Sequence, residues 1–298
     1  MKTKTLSVYA ALWLLTTSVA SYAADMPLKA PQPPPMPMTG FFIGLGGGYN
    51  SLKVEQDMFG LGLTNVFNGA AALVGTGYAL GPSFPFSEVK NTFAPEAQLG
   101  FIGNIGASNW LWGVKFQYKY LNATTIQSPV VIPQVGQQFP VGGGAPTTLT
   151  GNVLIQSSQN TVNHELKLLA LLGESFGNIN VYLGGGPALL ETKTAVYRAV
   201  GFGDVNGQPT DITGAPVNFV GTQWVWGGAG QIGMTYAFAS TWFLDFNYTF
   251  AMTDKYKNNF EAPFTSTSNG LTYNGIATLT TTQRVTTQAF AVTINKAF

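Results

Sequence analysis

The sequence has no cysteine and a single histidine, His164. It therefore cannot build a disulfide framework, and one histidine without cysteine makes a poor start for a metal site. Charge is scarce as well, at 9% of the 298 residues, where a soluble domain carries about 25%. The 14 basic residues face 13 acids, a balance that excludes the cationic footprint of a nucleic-acid binder. Long apolar runs are also missing. Beyond the N-terminal stretch none reaches 18 residues, so no segment reads as a spanning helix. A chain too poor in charge for water and without a spanning helix is expected to be a closed β-barrel, the other architecture that satisfies every backbone polar group in lipid.

The N-terminus carries an export signal. Lys2 and Lys4 precede an apolar stretch from Leu6 to Val19, and Ser21-Tyr22-Ala23 offers small residues at a cleavage site. Residues 1–23 are expected to be removed as a signal peptide; the apolar run is too short for the alternative, a membrane anchor. Losing Lys2 and Lys4 from the 14 basic residues leaves 12 against 13 acids, a formal charge near −1. Residues 24–39 hold Pro31, Pro33, Pro34, Pro35 and Pro37. They read as an extended periplasmic spacer, either a plain linker or an interaction segment.

From residue 40 to 298 the chain alternates with a period of two. Between Thr241 and Thr253, Leu244, Phe246, Tyr248, Phe250 and Met252 share one parity, and Asp245, Asn247, Thr249 and Ala251 share the other. Large apolar residues on one face and small or polar ones on the opposite face are the signature of a strand between lipid and a polar lumen. The pattern recurs at Trp110–Leu121, Val162–Gly173, Thr222–Tyr236, Ala94–Ile105 and the closing segment to Phe298, with glycine-rich versions at Phe41–Tyr49 and Ile179–Leu190. The count is eight. Short turns are expected at 106–109, 174–178 and 237–240, with long loops near 52–93, 122–161, 193–221 and 254–284. The expected fold is thus all-β: an eight-stranded antiparallel transmembrane β-barrel with short periplasmic turns and long extracellular loops, set in the outer membrane with both termini periplasmic. Thr147–Gln156 and Leu271–Thr280 also alternate weakly, as strand extensions or loop hairpins; a ten- or twelve-stranded barrel is the competing count.

Several blocks carry a family likeness. Gly40-Phe41-Phe42-Ile43-Gly44 with Gly48-Tyr49, Gly227-Gly228-Ala229-Gly230 through Tyr236, Thr241-Trp242 with Asp245 to Tyr248, and Asn295 to Phe298 resemble strands of the alphaproteobacterial Omp25/Omp31-like porin family of outer-membrane β-barrels. The resemblance covers strands and leaves the loops unmatched. Lys296 stands where that family carries an aromatic residue, and the loops are long for it. The resemblance implies an abundant small surface barrel of a Gram-negative cell envelope, some of whose relatives bind haem or act in envelope stability; it transfers no ligand.

Six charged residues fall on the inward parity: Glu96, Lys115, Lys119, Glu165, Lys167 and Asp245. An eight-stranded barrel is just wide enough for side chains to fill it, so these charges are expected to pair, either as a packed polar plug or as an ion gate in a narrow pore. His164 falls on the outward parity near the extracellular end of its strand, and neither Asn163 nor Leu166 supplies a nucleophile beside it. Gly44, Gly46 and Gly48, and Gly184, Gly185 and Gly186, lack the Lys and Ser/Thr of a phosphate loop. Trp110, Trp112, Trp224, Trp226, Trp242, Phe176 and Phe238 fall near strand ends, as interfacial girdles do; an aromatic carbohydrate platform is the alternative. Phe298 is read as an assembly signal for the barrel-assembly machinery, and lipid and lipopolysaccharide as the other partners. No cofactor, metal, nucleic acid or catalytic activity is expected. The role expected is structural and surface-interactive, with a narrow porin or small-ligand receptor, haem included, as the alternative.

Overall fold

The computed structural model describes residues 39–298 apart from 206, 212 and 213. The expected signal peptide and all but the last residue of the expected proline-rich spacer lie outside the described residues. Twelve strands make up the described chain: β1 (Gly40–Phe67), β2 (Leu73–Pro82), β3 (Phe86–Asn104), β4 (Trp110–Gln127), β5 (Val130–Pro140), β6 (Thr147–Phe176), β7 (Ile179–Val205), β8 (Gln208–Asp211), β9 (Val217–Ala237), β10 (Trp242–Thr253), β11 (Tyr256–Ser268) and β12 (Leu271–Ala297). All pairings are antiparallel.

A ring of pairings runs through eight of them, in the order β1, β3, β4, β6, β7, β9, β10, β12 and back to β1. The returning ladder joins the first strand to the last, from Phe42–Ala297 to Phe67–Thr272 without a break. The short connections are 105–109, the Gly177-Asn178 pair and 238–241. They gather at one end with Gly40 and Phe298, where the Phe298 N–H donates to the Phe41 carbonyl at 2.9 Å and the Ser175 N–H to the Asn109 carbonyl at 2.9 Å.

The four long connections differ from the loops expected. Each contains one of the remaining strands, β2, β5, β8 or β11, and the ring strands run far into the stretches expected to be loops. Thr147–Gln156 and Leu271–Thr280 are the outer halves of β6 and β12. Above the ring the neighbours change: β1 leaves β3 after Gln56 and takes β2 from Phe59, β6 exchanges β4 for β5, and β12 exchanges β10 for β11. The result is a sheeted extension of the barrel in place of irregular loops. Asn269 and Gly270, both with positive φ, close the β11–β12 hairpin, the two-residue turn whose twist suits antiparallel strands.

Side-chain parity follows the chemistry of the chain. On β12, Phe290, Val292 and Ile294 are exposed on the outside, as is Phe298 just past its end, and Ala289, Ala291, Thr293 and Asn295 are buried inside. Toward the extension the same outward row turns polar, through Gln288, Thr286, Arg284 and Thr282. The seven girdle aromatics singled out above are all outward, between 39% and 62% exposed. From Trp110 to Tyr120, at ~3.4 Å per residue and a tilt of ~40°, the apolar stretch of β4 rises about 26 Å, the height of a hydrocarbon band.

Candidate functional site: the filled lumen

The interior of the ring is a stack of strata. Next to the short turns, Phe42 meets Phe243 edge-on at 5.5 Å, packed with Ala237. Above lies the charged layer, then an apolar one built around Leu52, Val54, Leu121, Val162, Leu190 and Val285. A second polar layer of Gln56, Ser158, Asn160, Thr194 and Gln283 follows. A second apolar layer of Met58, Ile132, Ile155, Val196, Phe219 and Leu279 closes the stack.

The charged layer holds all six inward residues, none more than 3% exposed. Two cross-strand ladders place Glu96 beside Lys119 and Lys119 beside Glu165, so charge alternates along the row, the favourable order for directly opposed side chains. Lys119 Nζ lies 3.2 Å from Glu96 Oε2, and Lys167 Nζ donates to Glu165 Oε2 at 2.9 Å. Thr287 on β12 donates to the other oxygen of Glu165 at 2.6 Å.

The third pair crosses the barrel. Lys115 on β4 and Asp245 on β10 stand on opposite sides of the ring, yet Nζ reaches Oδ2 at 3.0 Å. Tyr182 completes this bridge: its hydroxyl donates to Asp245 Oδ1 at 2.6 Å and accepts from Lys115 Nζ at 2.7 Å. Gln98 adds contacts to Asp245, Thr293 and Asn295 at 3.0, 2.7 and 2.7 Å. Gln231 reaches Gln117 across the lumen at 3.3 Å. Tyr182 is the functional residue that the sequence reading passed over. Its signal is the parity of Asn180, Tyr182 and Gly184 against outward Ile179, Val181 and Leu183, blurred by the glycines of that strand. Room for its ring comes from Gly233, where a Cβ would lie 2.3 Å from the Tyr182 hydroxyl and Cζ.

Such a lumen bonds to itself. Direct contacts of 2.6–3.3 Å span it, where a conduit would hold water. Unpaired, each of these charges would cost several kcal/mol at such burial, which is why acids and bases occur together here.

His164 sits outside the barrel, one-third exposed, at the level where the apolar band ends. Its Nδ1 is 2.9 Å from the Tyr118 hydroxyl and its Nε2 is 3.3 Å from Glu191 Oε2. The rings of Tyr118, Tyr120 and Trp224 surround it with centroids 5.3–6.2 Å away. Both polar neighbours come from adjacent strands, which sequence spacing around His164 did not reveal. An amphipathic cluster of this kind suits the headgroup level of a membrane. Among the described residues no group of three or more His, Cys, Asp or Glu is placed to hold a metal. Gly44, Gly46 and Gly48, and Gly184, Gly185 and Gly186, lie within β1 and β7.

No family model matches the chain. It is similar to outer membrane protein P1 of Coxiella burnetii, 25% identical over 269 residues that cover 90% of this chain and 89% of that protein. Among solved structures, Neisserial surface protein A shares 11% identity over 83% of this chain and 97% of its own, with a TM-score of 0.30. The outer membrane protease OmpT of Escherichia coli shares 9% identity over 88% of this chain and 97% of its own, with a TM-score of 0.29.

Proposed function

We propose that the chain is an outer-membrane β-barrel surface protein whose eight-stranded membrane ring is a solid anchor, and whose role is structural and surface-interactive. The observation that carries this reading is the Lys115–Tyr182–Asp245 bridge, which ties opposite walls of the ring together. The similarity to an outer membrane protein over nine-tenths of the chain agrees with it. On this reading the end that gathers the short turns, Gly40 and Phe298 faces the periplasm, and the sheeted extension stands outside the cell. Lipid and lipopolysaccharide contact the exposed aromatic band; the closing strand, ending at Phe298, is what the assembly machinery engages. The likeness of the strand blocks to the Omp25/Omp31-like porin family belongs to the same proposal. The six inward charges serve as structural pairs, and no catalytic role is assigned to them.

Conductance in planar bilayers tests the reading. The refolded, purified barrel is expected to insert without stepwise current. Reproducible conductance steps, altered by Lys115→Met or Asp245→Asn, would make the charged layer a gate and favour the narrow porin instead.

A further inference from the structure

Above the second apolar layer the extension encloses a chamber. Its cavity volume is about 60 Å³, several times the ~10–15 Å³ that one water needs. Its floor is Phe219 and Leu279, and Val66, Phe264 and Tyr273 form the next apolar cluster above. No residue lining it is charged; Gln134, Thr64 and Thr278 supply its side-chain polar groups.

Small residues make the room. Gly60, Gly62, Ala79, Ala199, Gly201 and Ala277 all line the chamber. Gly62 is the informative one. A Cβ placed there would meet its nearest heavy atom, the Ala79 carbonyl oxygen, at 4.0 Å, and the backbone does not adopt positive φ. Neither close approach nor conformation calls for glycine, and glycine in a strand interior costs stability. What it provides is empty volume.

We propose that this chamber is a dead-end binding site for a small uncharged apolar molecule, such as a single aromatic ring, taken up from outside the cell. The inward apolar walls supply the affinity, because covering apolar surface that would otherwise face water is favourable. The Gln134 amide offers one oriented polar contact. The floor stops passage inward: beneath it lie the Gln56–Asn160–Gln283 layer and then the filled ring. This inference goes beyond the structural reading, and it holds or fails independently of whether the ring conducts.

The test is photolabelling of the full barrel in lipid nanodiscs with an uncharged phenyl-diazirine, mapped by mass spectrometry. Adducts are expected on Phe219, Leu279 or their neighbours, reduced at least fivefold by excess toluene and by Gly62→Leu. Ala199→Leu fills the chamber from another strand and should do the same. Labelling of the lipid-facing Phe290 should persist throughout, and a carboxylated diazirine should not label the chamber. Absence of chamber adducts in the unaltered protein, or adducts unaffected by toluene, would overturn the proposal without any reliance on the variants folding. Adducts at Gln117 or Lys167, below the floor, would overturn the dead end.

Discussion

Lys53 and Lys167 show how position decides what a charge contributes. Both have an acid two residues away in the same strand at similar distance: Lys53–Glu55 at 2.6 Å and Lys167–Glu165 at 2.9 Å. The first pair is 45% exposed on each side and the second is almost fully buried. Lys53 holds the Glu55 carboxyl below the usual carboxylate range, but exposed pairs are worth only ~0–1 kcal/mol. Removing Lys167 leaves Lys119 as the one base between Glu96 and Glu165, a loss of about 3–5 kcal/mol. Lys167→Met is therefore expected to lower the urea stability of the refolded barrel by well over 1 kcal/mol, and Lys53→Met to leave it within that range. Equal stability of the two variants would show water at Lys167. These inward charges stood out in the sequence because each falls on the parity opposite a row of largely apolar side chains. The pairing of Lys115 with Asp245 did not, since it joins strands that are never neighbours in the ladder.

Within the strands, legibility changes with height. Where the outside must meet hydrocarbon, polarity alternates sharply, and Trp112, Val114, Phe116 and Tyr118 identify β4 unaided. In the extension both faces meet water or mixed strata, and the contrast collapses. The outer half of β12, Leu271 to Gln288, carries threonine on both parities, and β1 continues through Gly60-Leu61-Gly62-Leu63. Pairing persists there because backbone hydrogen bonds and turns maintain it, and neither leaves a mark in hydropathy. This is why continuous strands were expected to be loops. The difference alters where proteases should act on intact cells. Cleavage is expected at the hairpin tips, in Asn68–Ala72, Val141–Ala145 and Asn269-Gly270, while 52–67 and 147–161 resist, since paired backbone is a poor substrate. The turns 106–109 and 238–241 should be spared as well. Cutting there, with the tips intact, would invert the orientation.

A ladder joins β12 back to β1, so the ring of pairings through eight strands leaves neither of the two with an unpaired side along that ladder. A ladder without an end gives detergent nowhere to begin, so unboiled protein is expected to run apart from boiled protein on SDS gels. Co-migration after demonstrated refolding would argue against closure. That closing seam also sets a timetable. β1 is 28 residues long and opens at Gly40, while its partner β12 opens only at Leu271. A ribosome delivers the first stave long before the last, and contacts separated by almost the whole sequence are the slowest to form. Throughout that interval one side of β1 is a bare row of donors and acceptors, able to pair with any strand it meets. Closing the ring therefore waits on β12, the strand that lies farthest from β1 along this sequence.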